Sequence, residues 1–131
     1  MGSFSNYWEN EILDHLFGKG VYTPPTIYVA LSTADPGESG AELSEPVGNG
    51  YTRVSTVAGD WNAANDGLLD NAGAIVFNGA TGDWGTLTHF ALFDALTGGN
   101  MLAHGTLTPE KTVGSGDTVQ FASGDLTVML D

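Results

Sequence analysis

Residues 23–32 read Thr23-Pro24-Pro25-Thr26-Ile27-Tyr28-Val29-Ala30-Leu31-Ser32, and the change of period inside this stretch decides the fold class. Each proline pushes the residue before it into extended backbone. From there Ile27, Val29 and Leu31 alternate with Tyr28, Ala30 and Ser32, the period of two that marks a strand. The alternation returns at residues 51–57, rich in Thr and Val, and briefly at 74–77. Residues 87–94 and 101–107 flank Ala95-Leu96-Thr97-Gly98-Gly99-Asn100, which predicts an antiparallel hairpin with a longer loop. Two more strands are expected at 118–121 and 126–130, joined across Ala122-Ser123-Gly124-Asp125. Short strands split by glycine-rich turns predict a mainly β fold, an antiparallel β-sandwich (jelly-roll-like) or a barrel.

Upstream of the prolines the period is helical. Trp8, Ile12, Leu13 and Leu16 fall on one stripe, while Glu9, Glu11 and Asp14 stay outside it. Asn6 is the expected N-cap, with Glu9 completing a capping box and Gly18 and Gly20 stopping the helix. The reading is one domain over 1–131, with an N-terminal amphipathic helix at 6–18 and a β domain at 26–131. The helix either closes over the end of that domain or serves as an arm that packs on a neighbouring subunit.

Two stretches break the strand pattern. Residues 33–50 carry Asp35, Glu38, Glu42 and Glu45 and exceed the usual length of a connection, which points to a contact role. Residues 58–73 mix Trp61 and Leu68-Leu69 with Asn and Asp, a pattern that tucks apolar groups down and exposes amides. The candidate contact residues toward another subunit or a partner protein are therefore Trp8, Ile12, Leu13 and Leu16 on the helix and Asp35, Glu38, Glu42 and Glu45 on the loop.

Composition removes several function classes. Of the 131 residues 41% are hydrophobic and 15% charged, so the chain folds rather than forming a disordered acidic tail. Sixteen acidic residues stand against Lys19, Arg53 and Lys111, a net charge of −13 that cannot build the basic surface nucleic acid or an anionic membrane requires. Without cysteine there is no disulfide framework and no thiolate nucleophile. The N-terminus shows no secretory pattern and no apolar run has membrane-spanning length, so the product is expected to be soluble when made in the cytoplasm.

The residues that carry chemistry form no catalytic pattern. His89 and His104 fall on the two arms of the hairpin without an evident third ligand, which favours structural, hydrogen-bonded histidines over zinc. His15 reads as a surface residue. Asp60, Asn62, Asn65, Asp66 and Asp70 are rich in the oxygens calcium prefers, but their spacing is not that of an EF-hand. No serine sits in a nucleophile elbow and no glycine-rich loop is followed by the lysine or helix of a phosphate site. No enzyme, metal or cofactor is expected.

A family resemblance carries the function. Tyr22-Thr23-Pro24-Pro25 with Ile27-Tyr28-Val29-Ala30-Leu31-Ser32-Thr33-Ala34, and Gly50-Tyr51-Thr52-Arg53-Val54, begin it. Asp83-Trp84-Gly85-Thr86-Leu87-Thr88-His89-Phe90-Ala91-Leu92-Phe93-Asp94, then Thr97-Gly98-Gly99-Asn100-Met101-Leu102-Ala103-His104-Gly105, continue it in order. In these words, together with Lys111-Thr112-Val113, Gly116-Asp117-Thr118-Val119 and Leu126-Thr127-Val128, the sequence resembles a family of short tailed-bacteriophage virion proteins generally labelled phage tail fibre proteins. The resemblance implies a non-enzymatic structural protein of the virion and supplies no catalytic residue. A fibre gains length from repeats, and a chain without one folds to a compact knob. The expectation is accordingly a capsid cement or decoration protein that stabilises the shell as a symmetric oligomer, a homotrimer, against the major capsid protein. The alternative is a tail-fibre or baseplate component touching tail proteins or a host receptor; a glycan- or calcium-binding receptor reader is a third reading.

Overall fold

The computed structural model describes residues 1–130. It is mainly β with one helix at the N-terminus, and its principal sheet is strongly curled into a half-barrel. The strands are β1 (Gly2–Phe4), β2 (Tyr28–Ser32), β3 (Val54–Ser55), β4 (Leu68–Asp70), β5 (Ile75–Val76), β6 (Gly85–Phe93), β7 (Met101–Val113), β8 (Gln120–Phe121) and β9 (Thr127–Met129); the helix α1 is Asn6–Leu16. Seven strands form the large sheet in the order β3-β2-β6-β7-β1-β9-β4, and β5 pairs with β8 in a small second one. The expected hairpin is its centre: β6 and β7 run antiparallel with Phe90 opposite Gly105 and Leu92 opposite Ala103. The expected link between the last two strands is different, because β8 pairs with β5 while β9 joins the large sheet. The segment 122–125 thus crosses from one sheet to the other.

The sequence reading began the β region at residue 26, yet β1 lies in the middle of the sheet, antiparallel to β7 and parallel to β9. Glycine makes that position possible. Gly2 faces Gly105, and a Cβ on Gly105 would stand 2.5 Å from the Gly2 Cα and 2.7 Å from the Phe90 ring. Only two bare backbones can approach this closely over an aromatic edge. After β1 the chain turns at once into α1. Ser5 is the cap, in place of Asn6: its Oγ accepts the Trp8 N–H at 3.2 Å and donates to the Met101 carbonyl. A cap at Ser5 moves the third helical position to Trp8, so Glu9 closes no capping box. The helix ends at Leu16, and Gly18 takes a φ of 73°, the left-handed conformation glycine adopts without strain.

The core lies on the concave side, where Val29, Leu31, Phe90 and Leu92 meet Phe77, Phe121, Leu126 and Val128. Trp84 is buried, with Nε1 donating to the Asn49 carbonyl at 2.8 Å. Part of the other side of the sheet is also covered. Ala30, Ala91, Phe93 and Met101 form a second cluster capped by Leu43 from the loop at 33–50. Val29 through Ser32 are consequently all fully buried, although their sequence alternates like a half-exposed strand.

Candidate functional site

The loop at 33–50 is held by polar contacts at every few residues. Ser32 Oγ accepts the Ser44 N–H at 3.0 Å, and the Thr33 N–H donates to the Ser44 carbonyl at 2.8 Å. Arg53, itself buried, grips Glu45 through two parallel bonds of 2.9 Å, lies over the Phe93 ring at 3.9 Å, and donates from Nη1 to the carbonyls of Ala95 and Gly98 at 2.8 Å. This fork geometry is the strong form of an ion pair. The Tyr51 hydroxyl donates to Glu45 Oε1 at 2.7 Å and accepts the Leu31 N–H at 3.0 Å. Burial pushes its ionisation far above the usual phenol range, with the Glu45 carboxylate adding to the shift.

The four acidic contact candidates separate accordingly. Glu45 faces inward onto Arg53, whereas Glu42 is exposed and Asp35 and Glu38 project over the sheet. Asp35 stands 3.8 Å from His89 Nε2 and 3.9 Å from His104 Nδ1, and Glu38 lies 3.5 Å from His104 Nε2. His89 also shares a 2.8 Å hydrogen bond with Thr88, whereas His104 Nε2 is buried with no hydrogen-bond partner among the described residues. The two rings do not face each other across the hairpin: His104 is opposite Ala91 and His89 opposite Thr106, and Asp35 is what brings them together.

The helix candidates also separate. No α1 residue is fully buried. Trp8 packs on Phe4 with ring centroids 4.5 Å apart and donates from Nε1 to the Tyr22 hydroxyl at 3.0 Å. Trp8 and Ile12 line an apolar trough of about 580 Å³ with Phe4, Ile27, Trp61 and Leu69. Leu13 and Leu16 instead face water at 54% and 71% exposure, with Phe17 beside them at 74%.

The far wall of the trough is the segment 58–70, where the sequence mixes Trp61 and Leu68-Leu69 with a cluster of oxygen-bearing side chains. Three of those side chains bond locally: Asp60 Oδ2 accepts the Val57 N–H at 2.8 Å and Asn62 Nδ2 donates to Asp70 Oδ1 at 2.9 Å. Trp61 leans into the trough with Nε1 on Thr56 Oγ1 at 3.0 Å. Behind it Asn71, fully buried, donates to the carbonyls of Gly73, Phe121 and Ala122 and accepts the Leu126 N–H. The role of Asn71 was not anticipated; an Asn in an Asn/Asp-rich stretch carries no signal that it is the buried one.

Comparison with known families matches the chain over nearly its whole length. Residues 3–129 fit the model of the podophage GP4 fiber I protein gp80 family. The chain belongs to that family. No curated protein matches it. The match takes in most of β1, all of α1 and both acidic segments, so the clamped loop and the trough lining from Phe4 to Val128 lie within the family's extent, with Leu130 just beyond it. Membership in a phage fibre family agrees with the resemblance read from the words between Tyr22 and Val128. Among the described residues no helix is long and apolar enough to cross a membrane.

Proposed function

We propose that the protein is a structural, non-enzymatic component of a podophage virion, seated in the tail as part of its fibre apparatus. The observation that carries this reading is the family match across residues 3–129, whose description names a fibre protein. It favours the tail over the capsid-cement role expected from the lack of repeats, since a compact knob serves equally well at the base or tip of a fibre. The chemistry of the fold supports scaffolding. Its most elaborate polar groupings, Arg53 with Glu45 and Asn71 with four backbone partners, tie loops to the sheet.

The test is location and number. Cryo-electron microscopy of the parent particle, with the chain marked by bound antibody fragments, is expected to show label confined to the tail, and quantitative mass spectrometry a small copy number. Label in regular clusters over the icosahedral shell, at hundreds of copies, would replace this reading with the cement one. A homotrimer remains the expected assembly, checked by sedimentation of the purified protein.

A further inference from the structure

We propose that the apolar trough between α1 and residues 58–70 is a docking site for an amphipathic segment of another protein whose apolar ridge is bordered by lysine or arginine. Among the described residues the trough lining is Phe4, Trp8, Ile12, Ile27, Trp61, Leu69 and further small or apolar residues, with Asn62 the one amide side chain and both indole N–H groups already donating, to Tyr22 and Thr56. The Asn62 amide is already held by Asp70, so a small ligand would find almost nothing to orient it. An apolar ridge needs no such group. Leu16, one turn past Ile12, continues the apolar line beyond the end of the trough, as a helix lying in a groove would require.

Charge selects among ridges. The wall segments carry Glu9, Glu11 and Asp14 on α1 and Asp60, Asp66 and Asp70 opposite, and neither contains a lysine or arginine. A second copy of the chain would bring its own net charge of −13 against these walls, with Arg53 buried and only Lys19 and Lys111 to offset it. A basic amphipathic partner satisfies both the floor and the rim. Apolar burial holds it and the acidic walls steer it in.

Trp8 and Trp61 line the trough and report on it, while Trp84 is buried elsewhere and contributes a constant background. The probe is a short amphipathic Leu/Lys peptide, with a Leu/Glu peptide of the same apolar face as control. Saturable change in tryptophan emission is expected with the first and none with the second, weakening as salt rises. The double substitution Ala64→Glu and Leu130→Glu places charge in the trough at exposed positions, and Ala64→Glu alone repeats the test without touching the chain end. Either is expected to weaken binding, the pair by about tenfold, although both add attraction at a distance. Adsorption to the acidic surface in general would strengthen instead, and that result overturns the proposal. So would equal binding of the two peptides, absence of a saturable signal, or self-association that the substitutions abolish, which would make a second copy the occupant. None of these outcomes bears on where the protein sits in the particle.

Discussion

The chain has two long acidic segments, and the fold uses them in opposite ways. Residues 33–50 lie down on the sheet, place Leu43 over Ala30, Ala91, Phe93 and Met101, and are fastened by Glu45 to a buried arginine. Residues 58–70 stand off from α1 and leave apolar side chains facing an open trough. Both segments are acidic and rich in small residues, with Asp35, Glu38, Glu42 and Glu45 in the first and Asp60, Asp66 and Asp70 in the second, so the sign of their charge does not separate them. What separates them is a counter-charge: Arg53 reaches the first, and among the described residues no lysine or arginine forms an ion pair with the second. A surface loop becomes part of the fold where a buried charge needs it, and remains available for contact where none does.

The sharpest way to break this difference is Arg53→Ala. It removes the bidentate pair, the contact over Phe93 and two carbonyl bonds, and leaves Glu45 three-quarters buried without its partner. Loss of one member of a buried pair costs about 3–5 kcal/mol. The expected result is a urea midpoint lowered by that much, together with new proteolytic cleavage within 33–50. Arg53→Lys should recover only part of the loss, because an ammonium cannot make two parallel bonds to a carboxylate. Unchanged protection of the loop would mean that Leu43, and not the ion pair, holds it down.

On the other side of the molecule Asn71→Ala tests whether the trough wall is equally anchored at its root. Three carbonyls and one N–H lose their partner, the Phe121 carbonyl and the Leu126 N–H in buried positions and the Gly73 and Ala122 carbonyls in part-buried ones. Unsatisfied buried groups cost about 1–3 kcal/mol each where water does not replace the lost partner, so a total of about 2–4 kcal/mol is expected in denaturant unfolding. Hydrogen exchange should rise at Leu126 and across 58–73 while the amides of β2 and β6 stay protected. A uniform loss of protection would show that the two acidic segments share one cooperative unit.

Tyr51→Phe is the milder probe of the clamped loop. It deletes the bonds to Glu45 and Leu31 at a cost of about 1–2 kcal/mol. It also has a pH signature. Tyr51 keeps its proton in the folded state beyond the ordinary phenol value of 10.0, so the unfolded chain ionises first as pH rises. Stability from this group is therefore intact below about pH 10 and falls above it. Tyr7 and Tyr22 shift in the same direction, so alkaline unfolding monitored by circular dichroism should become less steep in Tyr51→Phe without vanishing.

These elements also show what the residues disclosed in advance. The β6 and β7 hairpin was legible because alternation persists on both sides of a glycine turn, and the helix because its apolar spacing does. β1 was not, since Gly-Ser-Phe has no period and its place depends on Gly105, over a hundred residues away. The burial of Ala30 and Ser32 was hidden for a related reason: alternation reports which side chains share a face, not whether a distant loop covers it. Glu45 looked like one acid in a run of four because its partner lies across Tyr51 in irregular backbone, where spacing carries no meaning. The trough itself is a tertiary product of α1 and 58–70, although Trp8, Ile12 and Trp61 were each notable in the sequence.

The smallest expected effect concerns the helix residues outside both regions. Leu13 and Leu16 were grouped with Trp8 and Ile12 as one contact stripe, but they are more than half exposed and touch no core. Leu16→Asp should therefore change the unfolding midpoint by no more than about 0.5 kcal/mol, the range of surface substitutions. Its worth lies in what it does to assembly. If the stripe is an intersubunit contact, the variant stays folded by near-ultraviolet dichroism yet fails to assemble or to incorporate into particles. If α1 merely closes its own domain, Leu16→Asp assembles normally and Ile12→Asp, deeper in the trough, destabilises instead. The pair of variants thus divides one apolar stripe into the part that serves the fold and the part that remains for a neighbour.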